Sequence, residues 1–221
     1  MSESGRSGRL FESTHPLVRH KLSVLRQADT GVRRFRELAW ELTTLLAYEA
    51  LADLAVANKT IVTPLAETTG YVLKDRVALE PVLRDGLGMV DPIWNLLPEA
   101  HIGHIGLYRD EETLEPIEYY SKLPTPGQVD VCLVLDPMLA TGGSAVAACN
   151  LLTRWGIHRI KYLGLIAAPE GIKRLHEVHP GVDIYVAGVD CCLNDKGYIV
   201  PGLGDAGDRL FGTKADDARV P

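Results

Sequence analysis

The chain has 221 residues, a length for one domain, and its 46% hydrophobic and 24% charged residues are those of an ordinary globular protein. No apolar run approaches the roughly 20 residues of a membrane span. The formal net charge of −6 argues against a general nucleic-acid binder, which needs a basic face, but leaves room for a local basic pocket holding a small polyanion.

The N-terminal ten residues are rich in Ser, Gly and Arg and lack the apolar core of a signal peptide. Residues 1–12 are therefore expected to be a disordered leader and the protein cytoplasmic. Residues 33–55 carry the longest helical pattern, with Phe35, Leu38, Leu42, Leu45 and Leu46 at helical spacing. Residues 60–65 and 71–73 read as short strands. Residues 76–84 read as a strand leading into Asp85-Gly86-Leu87-Gly88, then residues 89–97 as a helix and 101–108 as another strand. A charged turn over 109–114 and a strand over 115–123 together suggest a hairpin or flap.

Residues 131–135, Val-Cys-Leu-Val-Leu, form an apolar run that predicts a buried strand ending at Asp136. A short loop closed by Thr141, Gly142, Gly143 and Ser144 precedes a helix from Ala145 to about Trp155, stopped by Gly156. Residues 160–167 and 183–189 predict strands, with a helix over 170–179 between them. This alternation predicts an α/β fold with a doubly wound, mostly parallel sheet. Ligands of such sheets sit at the C-terminal strand ends, where Arg84–Gly88, Arg109 and Asp136–Ser144 fall.

The chemistry concentrates at 131–145. A hydroxyl- and glycine-rich loop before a helix points backbone N–H groups at one spot, beside the positive end of the helix dipole, and binds phosphate. Asp136 adds an acceptor for sugar hydroxyls or a handle for a metal, so the motif predicts a ribose phosphate ligand. Gly202-Leu-Gly-Asp-Ala-Gly207 matches the dinucleotide G-x-G-x-x-G pattern by letter. Its context is wrong, because that motif opens a βαβ unit and needs an acid about 20 residues later. The segment reads instead as a tail turn or as a close-fitting backbone loop able to read the edge of a planar heterocycle.

Taken singly, several of these residues have plainer readings. Arg109 alone is a solvated arginine, Asp136 alone a helix cap or turn residue, and Met138 and Leu139 packing. Lys122 is expected in solvent, and Tyr119 and Tyr120 on ligand or core. The histidines show no metal-ligand spacing, and the cysteines contain no Cys-x-x-Cys, which argues against a zinc site. Cys132 and Cys149 are expected as buried hydrophobes.

Together, the segments resemble the uracil phosphoribosyltransferase family. Asp136-Pro-Met-Leu-Ala-Thr-Gly-Gly-Ser144 is similar to its phosphoribosyl-diphosphate (PRPP) motif, Tyr198-Ile-Val-Pro-Gly-Leu-Gly-Asp-Ala-Gly-Asp208 to its uracil-binding segment, and residues 108–116 to its flap. His15-Pro-Leu-Val, Phe35-Arg-Glu-Leu-Ala39 and Ala167-Ala-Pro-Glu-Gly171 fit as well, so the likeness runs from about residue 15 to 214. It implies a type I phosphoribosyltransferase fold over 13–214, with a flap at 109–123, a base-binding hood at 190–212 and a disordered tail at 215–221. It implies transfer of ribose 5-phosphate from PRPP to N1 of uracil, giving UMP and diphosphate with the help of Mg²⁺.

Carried over by position, Asp136, Arg109 and Asp205 are the implied catalytic residues. The implied PRPP site comprises Arg84, Arg109, Asp205 and the run Asp136, Pro137, Met138, Leu139, Ala140, Thr141, Gly142, Gly143 and Ser144. Ile199, Gly204, Asp205 and Ala206 are implied to bind uracil, with Asp205 touching Mg²⁺ indirectly. The resemblance also implies a homodimer or homotetramer and allows a GTP effector, with neither membrane nor nucleic acid as partner. Two positions depart from the pattern: Asp85 stands where the family has Ala, and Glu80 interrupts an apolar strand. Asp85 is expected to weaken PRPP binding without abolishing catalysis, and a pyrimidine regulator binding RNA or UMP with little catalysis is the alternative. Cys191-Cys192 also replaces residues that are usually polar.

Overall fold

Runs as apolar as residues 131–135 and 160–167 must be covered on both faces, and the structure does so with helices on each side of one sheet. This is a computed structural model that describes residues 7–109 and 116–213. Residues 1–6 of the expected leader, the charged turn over 110–114 and the tail over 215–221 lie outside the described residues. In chain order the elements are β1 (Leu10–Glu12), α1 (Pro16–Arg26), α2 (Val32–Ala50), β2 (Val56–Val62), β3 (Glu67–Leu73), β4 (Val77–Leu83), a 3₁₀ turn (Asp85–Met89) and α3 (Val90–Leu96). There follow β5 (His101–Ile102), β6 (His104–Arg109), β7 (Pro116–Lys122), β8 (Val131–Leu135), β9 (Met138–Leu139), α4 (Gly143–Arg154) and β10 (Ile160–Ala167). The chain closes with α5 (Pro169–Val178), β11 (Asp183–Val189), β12 (Cys192–Leu193), β13 (Ile199–Val200) and α6 (Ala206–Phe211).

The main sheet runs β1-β11-β10-β8-β4-β6-β7, with β5 joined to β4 and β9 to β10. Its pairings are parallel except β6 with β7. Alternating strand residues divide the core. Leu79, Leu133, Leu135, Leu163 and Leu165 pack with α1, α2 and α3 on one face, where Leu25, Phe35, Leu38 and Leu42 are fully buried. Ala78, Val82, Cys132, Val134 and Tyr162 pack with α4 and α5 on the other, through Ala145, Ala148, Cys149 and Leu175. Both cysteines expected in the core are there.

Three expectations need correction. Residues 10–12 are not leader: Leu10, Phe11 and Glu12 pair with Ile184, Tyr185 and Val186, and the Phe11 ring stacks on Tyr185 at 4.5 Å. A three-residue edge strand is too short to show a period in sequence. The long helix ends at Ala50 rather than 55, where Lys161 of β10 donates to the Ala50 carbonyl at 2.5 Å and meets the Asp53 carboxylate. The two short strands at 60–65 and 71–73 are the arms of one antiparallel hairpin, β2 with β3, outside the main sheet. That hairpin leaves Val62, Leu65 and Tyr71 largely exposed.

Glu80 lies on the Ala78–Val82 face, in the middle of this apolar layer, fully buried. Among the described residues neither carboxylate oxygen has a hydrogen-bond partner, and burial pushes the carboxyl up to about 8. Gly103 makes room for it, since a Cβ there would sit 2.2 Å from Oε2, and the strand expected over 101–108 breaks at that glycine.

Candidate active site

The loop over 136–144 is fastened to the sheet before it turns. After Asp136, the Pro137 carbonyl accepts from the Leu165 and Ile166 N–H groups at 2.9 and 3.1 Å, and the Leu139 carbonyl accepts from Ala168 at 2.9 Å. Pro137 and Leu139 are buried, so of the nine residues of the 136–144 run these two anchor the loop through the core, and Met138 is half-buried beside them. Ala140, Thr141 and Ser144 are half-buried, and Gly142 caps α4 with φ at 78°. A Cβ on Gly142 would come 2.8 Å from the Gly171 carbonyl, and one on Gly171 would come 2.4 Å from that of Ala140. Both glycines are therefore required for the loop to lie against the first turn of α5. The helix starts at Gly143, two residues before the expected start, which puts the Gly143 and Ser144 N–H groups in its first turn. That turn has no side-chain cap, so its donors are suited to an anion.

Asp136 stands at the mouth of this loop. Tyr162 donates to its carbonyl at 2.8 Å, and one carboxylate oxygen is 3.4 Å from the Met138 N–H. Burial, then the nearby charge of Asp85, pushes the Asp136 carboxyl up to about 7. Asp85 does not project into solvent. Its Oδ1 lies where a Cβ on Gly207 would be, 2.2 Å away, and it takes a hydrogen bond from the Gly207 N–H. Burial and then the charge of Asp205 raise the Asp85 carboxyl. Arg84 follows the same direction, donating to Asp208 at 3.0 Å and lying over the Phe211 ring at 5.6 Å. Arg109 ends β6 opposite Pro116, and its side chain lies outside the described residues.

The glycine loop over 202–207 opens no βαβ unit; it leads from the β12–β13 hairpin into the six-residue α6. Gly202 and Gly204 have φ of 65° and 80°, and Gly204 is exposed. Ile199 is buried with its side chain in the core, which leaves its backbone for any ligand contact. Ala206 begins α6, and Asp205 caps it by accepting from the Asp208 N–H at 2.8 Å. Two arginines hold this loop. Arg26 makes two 2.6 Å bonds to Asp190 and donates to the Gly202 carbonyl at 2.9 Å, while Asp190 accepts from the Gly202 N–H at 2.9 Å. Arg209 donates to the Leu203 carbonyl at 2.7 Å and the Gln27 carbonyl at 2.6 Å. A cavity of about 520 Å³ opens between Arg26, Gly202, Gly204, Asp208 and Arg209. Sequence reasoning missed Arg26, Asp190 and Arg209. Arg26 and Asp190 are 164 residues apart, and no local pattern links them.

The structure thus joins three segments that are distant in sequence: the phosphate loop, the Arg84–Asp85 turn and the 202–208 loop. Among the described residues no three His, Cys, Asp or Glu side chains gather into a metal cage. Asp205 spends one oxygen on its helix cap and is half-buried, a donor set that suits a hydrated hard cation better than a protein-enclosed one. No described helix is long and apolar enough to cross a membrane.

The family model for uracil phosphoribosyltransferase matches residues 12–213. A uracil phosphoribosyltransferase of Roseiflexus castenholzii is 61% identical over 204 residues, covering 92% of this chain and 98% of its own. The solved structure of the AQ2163 protein from Aquifex aeolicus is 40% identical, with a TM-score of 0.87 over 92% of this chain and 98% of that one. The orotate phosphoribosyltransferase of Mycobacterium tuberculosis, solved with PRPP, is 14% identical with a TM-score of 0.50 over 80% of this chain and 90% of its own, a likeness of fold alone.

Proposed function

The chain belongs to the uracil phosphoribosyltransferase family, and from that premise we propose that its site transfers ribose 5-phosphate from PRPP to N1 of uracil, releasing diphosphate and forming UMP. The observation that carries this reading is the junction at Arg84–Asp85. The turn that would face the leaving group is bonded to the loop that would hold the base, through Arg84–Asp208 at 3.0 Å and Asp85–Gly207.

Ala140–Ser144 take the 5-phosphate on the first-turn N–H groups of α4 and the hydroxyls of Thr141 and Ser144. Asp136 accepts from the ribose hydroxyls and, ionised, favours positive charge developing on the sugar. Arg84 and Arg109 neutralise the departing diphosphate with paired donors. For Arg84 this means exchanging Asp208 for phosphate oxygens. The backbone of Ile199, Gly204 and Ala206 reads the edge of uracil and holds N1 toward the sugar carbon, which makes positioning a large part of the catalysis. Asp205 is the residue that would hold Mg²⁺, indirectly, and the ion would supply charge neutralisation on the diphosphate.

The exposed apolar hairpin β2–β3 supports assembly as a homodimer or homotetramer. The family resemblance supports a cytoplasmic protein and allows GTP as an effector, which the assay below includes as one of its arms. One assay tests the reading: the protein is incubated with PRPP, Mg²⁺ and, separately, uracil, cytosine, orotate and hypoxanthine, with and without GTP. UMP from uracil alone is the expected product. Absence of nucleotide with uracil overturns the proposal.

A further inference from the structure

Cys191 and Cys192 are adjacent and free, and their Sγ atoms lie 2.9 Å apart in a thiol–thiol hydrogen bond. Cys191 is exposed and Cys192 half-exposed, unlike the two buried cysteines. Their place in the fold gives the pair leverage. Asp190, the residue before, holds the Gly202 N–H and both Arg26 bonds that fix the glycine loop. Cys191 itself donates its N–H to the Val200 carbonyl at 3.1 Å, and Cys192 is in register with Val200 and Leu193 with Ile199. The backbone at 191–192 is thus one strand of the hairpin that presents Ile199 and leads into the glycine loop.

We propose that Cys191 and Cys192 form a reversible vicinal disulfide with a peroxide as oxidant, and that this ring loosens the hood from its Asp190 anchor. Cys191 gives up its thiol proton and the thiolate attacks one peroxide oxygen, breaking the O–O bond to leave a sulfenic acid and hydroxide, which takes up that proton as the first water. The Cys192 sulfur then attacks the sulfenic sulfur, its proton leaves with the hydroxyl as a second water, and the S–S bond forms. Two thiols and one hydrogen peroxide become one disulfide and two waters, and a dithiol reductant reverses the step. Cys192 begins as the thiol. Its hydrogen bond to Cys191 and partial burial hold it above the usual range, with the Glu170 carboxylate adding to this. The eight-membered ring cannot keep the extended geometry on which the Cys191 N–H···Val200 bond and the 192–200 register depend. Oxidation therefore acts on the base side of the site and leaves the phosphate loop, which is fastened to β10 and α5, untouched.

The test is to treat the intact protein with hydrogen peroxide under native conditions, quench, and map thiols by alkylation and mass spectrometry. The expected product is a 191–192 peptide lighter by about 2 Da, with Cys132 and Cys149 still alkylated after denaturation. Sulfinic acid at Cys191, or disulfides between chains instead of within the peptide, overturns the proposal. The kinetic part rests on the function proposed above. KM for uracil rises about fivefold on oxidation with KM for PRPP unchanged, dithiothreitol restores it, and Cys191→Ser abolishes the response. A vicinal disulfide that leaves KM for uracil unmoved refutes the coupling. The mass readout needs no turnover, and uracil turnover by the reduced protein tests the proposed function separately.

Discussion

Replacing Glu80 should stabilise the protein, and increasingly so as pH rises. The carboxyl is fully buried, has no hydrogen-bond partner among the described residues, and is pushed up to about 8 from an ordinary 4.5. Folding therefore favours the protonated form, and stability is whole below pH 4.5 and lost as pH rises toward 8. At about 1.4 kcal/mol for each tenfold change in proton affinity, the cost is about 1 kcal/mol at pH 5, about 3 at pH 7 and about 5 near pH 8.5. Glu80→Gln keeps the shape and removes the charge, so its advantage over the wild-type chain should grow by about 4 kcal/mol across that range. Glu80→Val also removes the orphaned polar group and should add about 1–3 kcal/mol at every pH. Urea unfolding followed by fluorescence of the three tryptophans, at pH 5, 7 and 8.5, measures these differences. A Glu80→Gln advantage that is the same at all three values refutes the reasoning, because it means that the carboxylate is compensated in the folded state.

Asp85→Ala removes a negative charge that acts on Asp136. KM for PRPP should fall about fivefold, the equivalent of about 1 kcal/mol at water-like dielectric. With Asp136 in the proposed role, its carboxyl pushed up to about 7 sets an acid limb of kcat/KM that should move to lower pH because ionisation becomes easier. If both stay put, Asp85 does not burden the site. Arg26→Ala strands the buried Asp190 carboxylate and should cost about 3–5 kcal/mol in thermal or urea unfolding while raising KM for uracil. A melting curve identical to wild type contradicts the clamp. Gly142→Ala must hold φ at 78° against the Gly171 carbonyl, a strain of about 1–3 kcal/mol, and should raise KM for PRPP with KM for uracil unaffected. Equal effects on both substrates argue that the loop is not the phosphate site.

The α/β class, the main strand–loop–helix and the rejection of the dinucleotide reading were legible in the order of residues alone. Each rests on local physics: uninterrupted apolar runs, a glycine and hydroxyl cluster before a helical period, and what must follow a nucleotide loop in the chain. That order also singled out Asp85, Glu80 and Cys191-Cys192 as departures, without saying where they point. Only the tertiary structure decided that. Asp85 turns onto Gly207 because the 3₁₀ turn packs against α6. Glu80 enters an apolar layer because strand alternation puts it on the face of Ala78 and Val82, where Gly103 leaves space. The Arg26–Asp190–Gly202 clamp and the short β1 are built from residues more than 160 positions apart, and contacts at that separation leave no period in a sequence. The same long-range packing brings the 136–144 loop, the Arg84 turn and the glycine loop together.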